Sequence, residues 1–167
     1  MRRFLWLAAV LILAAALGLC VRVWGVGLLR VTGTSMDDTL KDGDIALVTR
    51  FDYRAGRMPA FGDVVECRFP KRADTYIKRV AGLPGETIAI AGGILHRNGQ
   101  RVSEPYVSSF AENYGVTLGE HQYLLLGDNR RDSYDSRMPD MDPVDETAFI
   151  GRVRFIVWPL NRIGAVR

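Results

Sequence analysis

Most of this chain is predicted to be mainly β, antiparallel and built from many short strands. Three observations point there. Apolar runs of a few residues are repeatedly bounded by Gly, Pro, Asn or Asp, several of them alternate with period two, and only the N-terminal segment is long enough for an extended helix. With 167 residues and 48% apolar content, the chain suits one compact domain with a short appendage.

Met1-Arg2-Arg3 precede an uncharged run from Phe4 to Val21, eighteen residues long. That meets the lower range for a spanning helix, and Arg22 can snorkel at its far end. The competing reading is a cleaved signal peptide, with Ala14-Ala15-Ala16 as its cut. Length favours the anchor, since an h-region is normally shorter. Residues 1–30 are therefore read as cytoplasmic tip, transmembrane anchor and membrane-proximal segment. The arginine flank places residues 31–167 outside as a β-rich domain. No second long apolar run follows in this sequence, so a single pass is expected.

Ile45 to Phe51 is a short apolar-rich run between Gly43-Asp44 and Asp52. Asp63 to Phe69 alternates as a strand and stops at Pro70, and Thr75 to Ala81 reads as the next strand. Ala91-Gly92-Gly93 signals a hairpin between Thr87–Ile90 and Ile94–Arg97. Asn98-Gly99 marks a second, tighter turn. Residues 86–120 are expected to form a small β insertion. Gln122 to Leu126 is another apolar run, Asp145-Glu146-Thr147 can open a short turn, and Phe149 to Trp158 closes the domain as an alternating strand.

The net charge of +3 and scattered Lys and Arg exclude the clustered basic face that nucleic acids need. Mild attraction to anionic lipid fits better. Cys20 and Cys67 are too few for a disulfide framework. His96 and His121 are isolated, so no metal and no cofactor are expected. Oligomeric state is not readable from the sequence.

The chemistry concentrates in two stretches. Gly33-Thr34-Ser35-Met36-Asp37-Asp38-Thr39-Leu40 offers a serine in a small, polar turn. Tyr76-Ile77-Lys78-Arg79 places a lysine in a largely apolar strand. Serine is a poor nucleophile alone, and a solvated lysine stays protonated. Burial disfavours the ammonium, so a desolvated lysine can serve as base to a neighbouring serine. Taken singly, a turn serine and a strand lysine are more often ordinary surface residues. Tyr76 shares the Lys78 face by period two and can shield the amine, whereas Arg79 points to the other face.

Ser35-Met36 with Thr39-Leu40 and Lys41-Asp42-Gly43-Asp44 resembles the serine box of bacterial type I signal peptidases. Tyr76 to Glu86 is similar to that family's lysine box, and Gly127-Asp128-Asn129-Arg130 with Ser133 and Asp135-Ser136-Arg137 resembles its third box. The resemblance runs to Trp158-Pro159-Leu160-Asn161-Arg162-Ile163-Gly164, nearly the whole chain. It implies an antiparallel-sheet catalytic core with a small β insertion, tethered by one helix. It also implies a membrane-bound serine endopeptidase that removes N-terminal signal peptides from exported preproteins at the outer face of the bacterial cell membrane.

On this resemblance Ser35 is the nucleophile and Lys78 the general base. Ser133 hydrogen-bonds the lysine, while Arg79, Asp128, Asp135 and Arg137 pair as a charged scaffold. Met36 is a candidate for lining shallow apolar pockets that accept small residues at −1 and −3. The Ser35 N–H can donate to the oxyanion. Gly33 stands where some members carry a second donor hydroxyl, leaving Thr34 as a candidate. Asp38 replaces the usual proline, which removes a φ restraint and adds a charge. Three rival readings remain. They are a self-cleaving repressor of the SOS type, a specialised peptidase for a dedicated substrate such as a pilin, and a catalytically silent membrane-tethered binding module.

Overall fold

The computed structural model describes residues 25–53 and 56–167, with isolated positions 6, 7, 10, 12, 13 and 18 before them. The expected span Phe4–Val21 lies outside the described residues apart from those positions. Among the described residues no helix is long and apolar enough to cross a membrane.

Among the described residues eleven strands are separated by three single-turn 3-10 segments. The larger sheet has the order β1 (Val26–Arg30), β2 (Ile45–Thr49), β10 (Phe149–Trp158), β3 (Val64–Cys67), β4 (Tyr76–Gly82) and β9 (Leu124–Leu126). Strand β11 (Gly164–Ala165) pairs with β10. The smaller sheet runs β7 (Gln100–Arg101), β6 (Ile94–Arg97), β5 (Thr87–Ala91), β8 (Tyr114–Thr117). Every recorded pairing is antiparallel, as the short alternating runs predict.

Strand β10 is the long central element and carries register shifts on both flanks. Bulges of this kind bend a strand and increase its twist, letting β10 serve β2, β3 and β11 at once. The β6–β7 turn is made by Asn98 and Gly99, both at positive φ (50° and 78°), the conformation that a two-residue type I′ hairpin demands. Asp145 caps the 3-10 turn Glu146–Ala148 through its side chain, which accepts from Thr147 N at 2.8 Å.

Two placements refine the picture. Val26–Arg30, read as membrane-proximal chain, is edge strand β1 of the main sheet, in register with β2. Strands β5 to β8, within residues 86–120, form the smaller sheet, which packs on the main one. Ile88, Ile90, Leu95 and Leu118 pack with Ala81 of β4 and Leu124 and Leu126 of β9 in one buried cluster. A second cluster, with Met36, Leu40, Val48, Val64 and Val153, lies under the serine turn. A third, with Val65, Cys67, Phe69, Val80 and Leu125, lies under the lysine strand. The site is thus set between two packed cores.

Candidate active site

The serine turn follows β1 and is tied down on both sides. Gly33 N donates to Asp42 Oδ1 at 2.8 Å, Leu40 N to Met36 O at 2.8 Å, and Asp37 N to Thr34 O at 3.1 Å. Met36 and Leu40 are buried and pin the turn to the core beneath. The third box grips it from above: Asn129 N donates to Ser35 O at 3.1 Å and Asn129 Nδ2 to Thr34 O at 3.2 Å. Asp38 is exposed, so water solvates its charge. The Asp37–Asp38 peptide is cis.

Lys78 stands in the middle of β4, where Val65 of β3 is its cross-strand neighbour. It is 2% exposed, and its Nζ lies 2.7 Å from Ser35 Oγ. The Tyr76 ring centroid is 5.9 Å from the amine. Burial is the largest influence on Lys78 and pulls its pKa below the ordinary lysine value. Asp135 and Asp128 oppose that shift, and Arg137 assists it. The same dryness pushes the Cys67 thiol up to about 12, so that sulfur stays a neutral neighbour. A hydroxyl and a desolvated amine at hydrogen-bonding distance form a group that can pass a proton between them.

Behind the pair, the acids are held by arginines. Arg79 grips Asp128 through Nε at 2.8 Å and Nη2 at 2.6 Å, with both side chains buried. Arg137 holds Asp135 at 2.8 and 2.9 Å, and Asp135 in turn accepts from Gly127 N at 3.0 Å. Such two-point contacts fix orientation as well as charge. Arg79 lies on the face opposite Lys78, as alternation predicts, and also donates to Gly62 O and Arg167 O.

Ser133 is placed differently from expectation. Its Oγ is buried and has no hydrogen-bond partner among the described residues, so the bond to Lys78 is not made. The hydroxyl is pressed against Gly127 instead, and the amine turns to Ser35. A methyl at position 127 would come within 2.1 Å of Ser133 Oγ and 2.4 Å of Ser35 O, separations that no packing tolerates. Gly127→Ala is therefore expected to displace the serine turn and lower kcat at least about 100-fold, as small misplacements of reacting groups do. Steady-state cleavage assays check this, and parental kcat would contradict it.

Met36 lines a cleft of about 330 Å³ that Ser35, Lys78, Leu29, Val31, Tyr76 and Ile77 also border. Several participants were not identified from the sequence. Thr39 Oγ1 donates to Asp128 Oδ2 at 2.5 Å. Arg130 forms a buried ion pair with Glu104, Nη1 reaching Oε2 at 3.0 Å. The Tyr106 ring lies 3.8 Å beneath the Arg79 guanidinium. Glu66 also lines the cleft. Thr39 and Arg130 stand inside quoted motifs; Glu104 and Tyr106 carry no local signal.

Residues 3–158 match the model of the family described as signal peptidase, peptidase S26. The chain belongs to this family. It is 36% identical to signal peptidase I of Bacillus licheniformis, over 96% of this chain and 91% of that protein. It is 33% identical to signal peptidase IB of Staphylococcus aureus, over 78% of this chain and 77% of that protein. Among solved structures, a signal peptidase I from Enterococcus faecalis aligns at a TM-score of 0.52 with 29% identity. That match covers 57% of this chain and 97% of the other. The protein is thus a peptidase of the signal peptidase type with a mainly β antiparallel fold.

Proposed function

We propose that the chain is a membrane-anchored endopeptidase that cuts signal peptides from exported preproteins through Ser35 and Lys78. The observation that carries this is the 2.7 Å contact between a serine oxygen and a lysine nitrogen that is 2% exposed. In the resting enzyme the amine is neutral and accepts the Ser35 O–H proton. The alkoxide oxygen attacks the carbonyl carbon of the −1 residue, and negative charge develops on the carbonyl oxygen. The Ser35 N–H is the proposed donor to that oxyanion. The ammonium of Lys78 then protonates the departing amine of the mature protein, leaving an ester on Ser35. Lys78 next takes a proton from water, the hydroxide adds to the ester, and Ser35 recovers its proton as the signal peptide leaves.

Ser133, Tyr76, Arg79, Asp128, Asp135 and Arg137 act as support. Tyr76 shields the amine, the two ion pairs hold the third box, and Ser133 packs against Gly127. Met36 contributes a wall for the substrate.

Two observations favour a bilayer setting, with residues 1–30 holding the anchor and the membrane-proximal strand β1, and 31–167 as the rest of the outer domain. Trp6, Leu7, Val10, Ile12 and Leu13 are helical, apolar and exposed. On the main sheet Leu28 and Phe155 both face Leu47 in register and are exposed, with Trp158, Leu160 and Ile163 exposed nearby in sequence. An apolar surface of that kind suits lipid, and Val26–Arg30 ends just before the serine turn. The N-terminus would be cytoplasmic and the site extracytoplasmic, where a spanning signal peptide presents its cut. A half-buried Ser35 in contact with a buried Lys78 also argues against a silent binding module.

The test is cleavage. Purified full-length protein in detergent should cut a preprotein once, after a small residue, as read by N-terminal sequencing of the product. Binding without any cut would point to the silent module. In the same assay kcat/KM should rise with pH. Lys78 must be neutral to act, and its pKa lies below the ordinary lysine value, so the rise should come below that value. A profile flat from acid to alkaline pH would remove lysine as the base.

A further inference from the structure

The cleft beside Ser35 is not uniformly apolar. Leu29, Val31, Met36 and Ile77 give walls that suit small side chains, yet Glu66 borders the same space. Glu66 lies on β3 opposite Ile77 of β4 and Gly151 of β10, and is only 9% exposed. Alternation puts it on the face of Val64, and Val64 and Ile77 pack in the cluster that holds Met36. Among the described residues its Oε2 is buried and accepts no hydrogen bond. The half-exposed Arg50 guanidinium stands 3.7 Å away, which balances charge without reaching hydrogen-bond distance.

A buried carboxylate oxygen without a donor is costly, and native proteins rarely keep one without cause. A substrate side chain bearing an O–H would supply the donor. We propose that Glu66 is a specificity-determining residue that makes the cleft favour serine or threonine at the −3 position of the preprotein. This rests on the reading of Ser35 and Lys78 as the cleavage centre. In an extended substrate −1 and −3 point the same way. With −1 held at Ser35 and Lys78, the side chain two residues back enters the wall formed by Ile77 and Glu66. Arg50 already offsets the carboxylate charge, so a small neutral donor fits better than a lysine.

The experiment uses full-length protein in detergent and preproteins differing only at −3, where Ala, Ser, Thr, Val or Lys is placed. Thr and Val have nearly the same shape, so their ratio isolates the hydroxyl. The parent is expected to cut the Thr form with kcat/KM about tenfold above the Val form. Glu66→Val should bring that ratio to one or below, and Glu66→Gln, which keeps an acceptor of similar shape, should fall between. The ratio is internal to each preparation, so a partial loss of folded protein does not move it. A parental ratio near one, a ratio unchanged in Glu66→Val, or a preference for Lys overturns the proposal. A parent that cuts no member of the series overturns the Ser35–Lys78 reading as well, whereas normal cutting with an unmoved ratio spares it.

Discussion

Ser35→Ala and Lys78→Met are each expected to lower kcat by at least about 1,000-fold, and the double variant little further. Groups that act as one unit lose nearly everything with either member. The two losses arise differently. Without Ser35 no acyl-enzyme forms; without Lys78 the serine keeps its proton. Cleavage of one preprotein by all three variants, followed on gels, measures this. Additive losses, or a Lys78→Met enzyme within tenfold of the parent, would contradict it.

Lys78→Met should also stabilise the domain while silencing it. The folded-state pKa of Lys78 is lowered, chiefly by burial. Between that value and the ordinary lysine value the unfolded chain binds the extra proton, so the parent's stability rises with pH across that window. Below the window the full cost of burying the lysine remains. Methionine has similar reach and no charge, so the variant should lack this component and unfold at higher urea near neutral pH. Parallel urea midpoints across pH for the two proteins would speak against a desolvated amine.

The second large effect belongs to Arg79 and Asp128. Both are essentially dry, and Arg79 joins β4 to the third box, to Gly62 and to Arg167. Removing one partner strands a buried charge, so Asp128→Ala or Arg79→Ala should cost about 3–5 kcal/mol in unfolding free energy. A double exchange to apolar residues of similar volume, Arg79→Met with Asp128→Leu, should recover part of that loss. Denaturant unfolding of the three variants decides. A loss under about 1 kcal/mol in either single variant would show that the pair is not desolvated in solution.

What could be read from the sequence follows the range of the forces involved. The Asn98-Gly99 turn, the alternation of β3 and the lysine strand are local patterns, and each is where the runs of residues place it. Strand β1 was hidden because Val26–Arg30 continues the apolar composition of the preceding segment, and only pairing with β2 distinguishes it. Strand β8 is short, with Gly115 in the middle of it. The Arg130–Glu104 pair spans 26 positions, and nothing local in the sequence announces it. Period two predicted that Arg79 and Lys78 would part company, but not that Ser133 would be pressed against Gly127 rather than bonded to the amine. Glu66 looked like the polar face of an alternating strand, and only the packing of β3 between β4 and β10 buries it.

The central claim is an uncharged amine at Ser35, and the protonation of Lys78 can be watched directly. The chain has three lysines, Lys41, Lys71 and Lys78, so 13Cε-lysine labelling gives three NMR signals in detergent, with Lys78 assigned by its absence from Lys78→Met. Lys71 is exposed and held by Asp142, which raises its pKa. Lys78 should instead titrate well below the ordinary lysine value of about 10.4, ahead of Lys71 as pH rises. A Lys78 signal that remains that of an ammonium up to the pH at which Lys71 titrates would contradict the account.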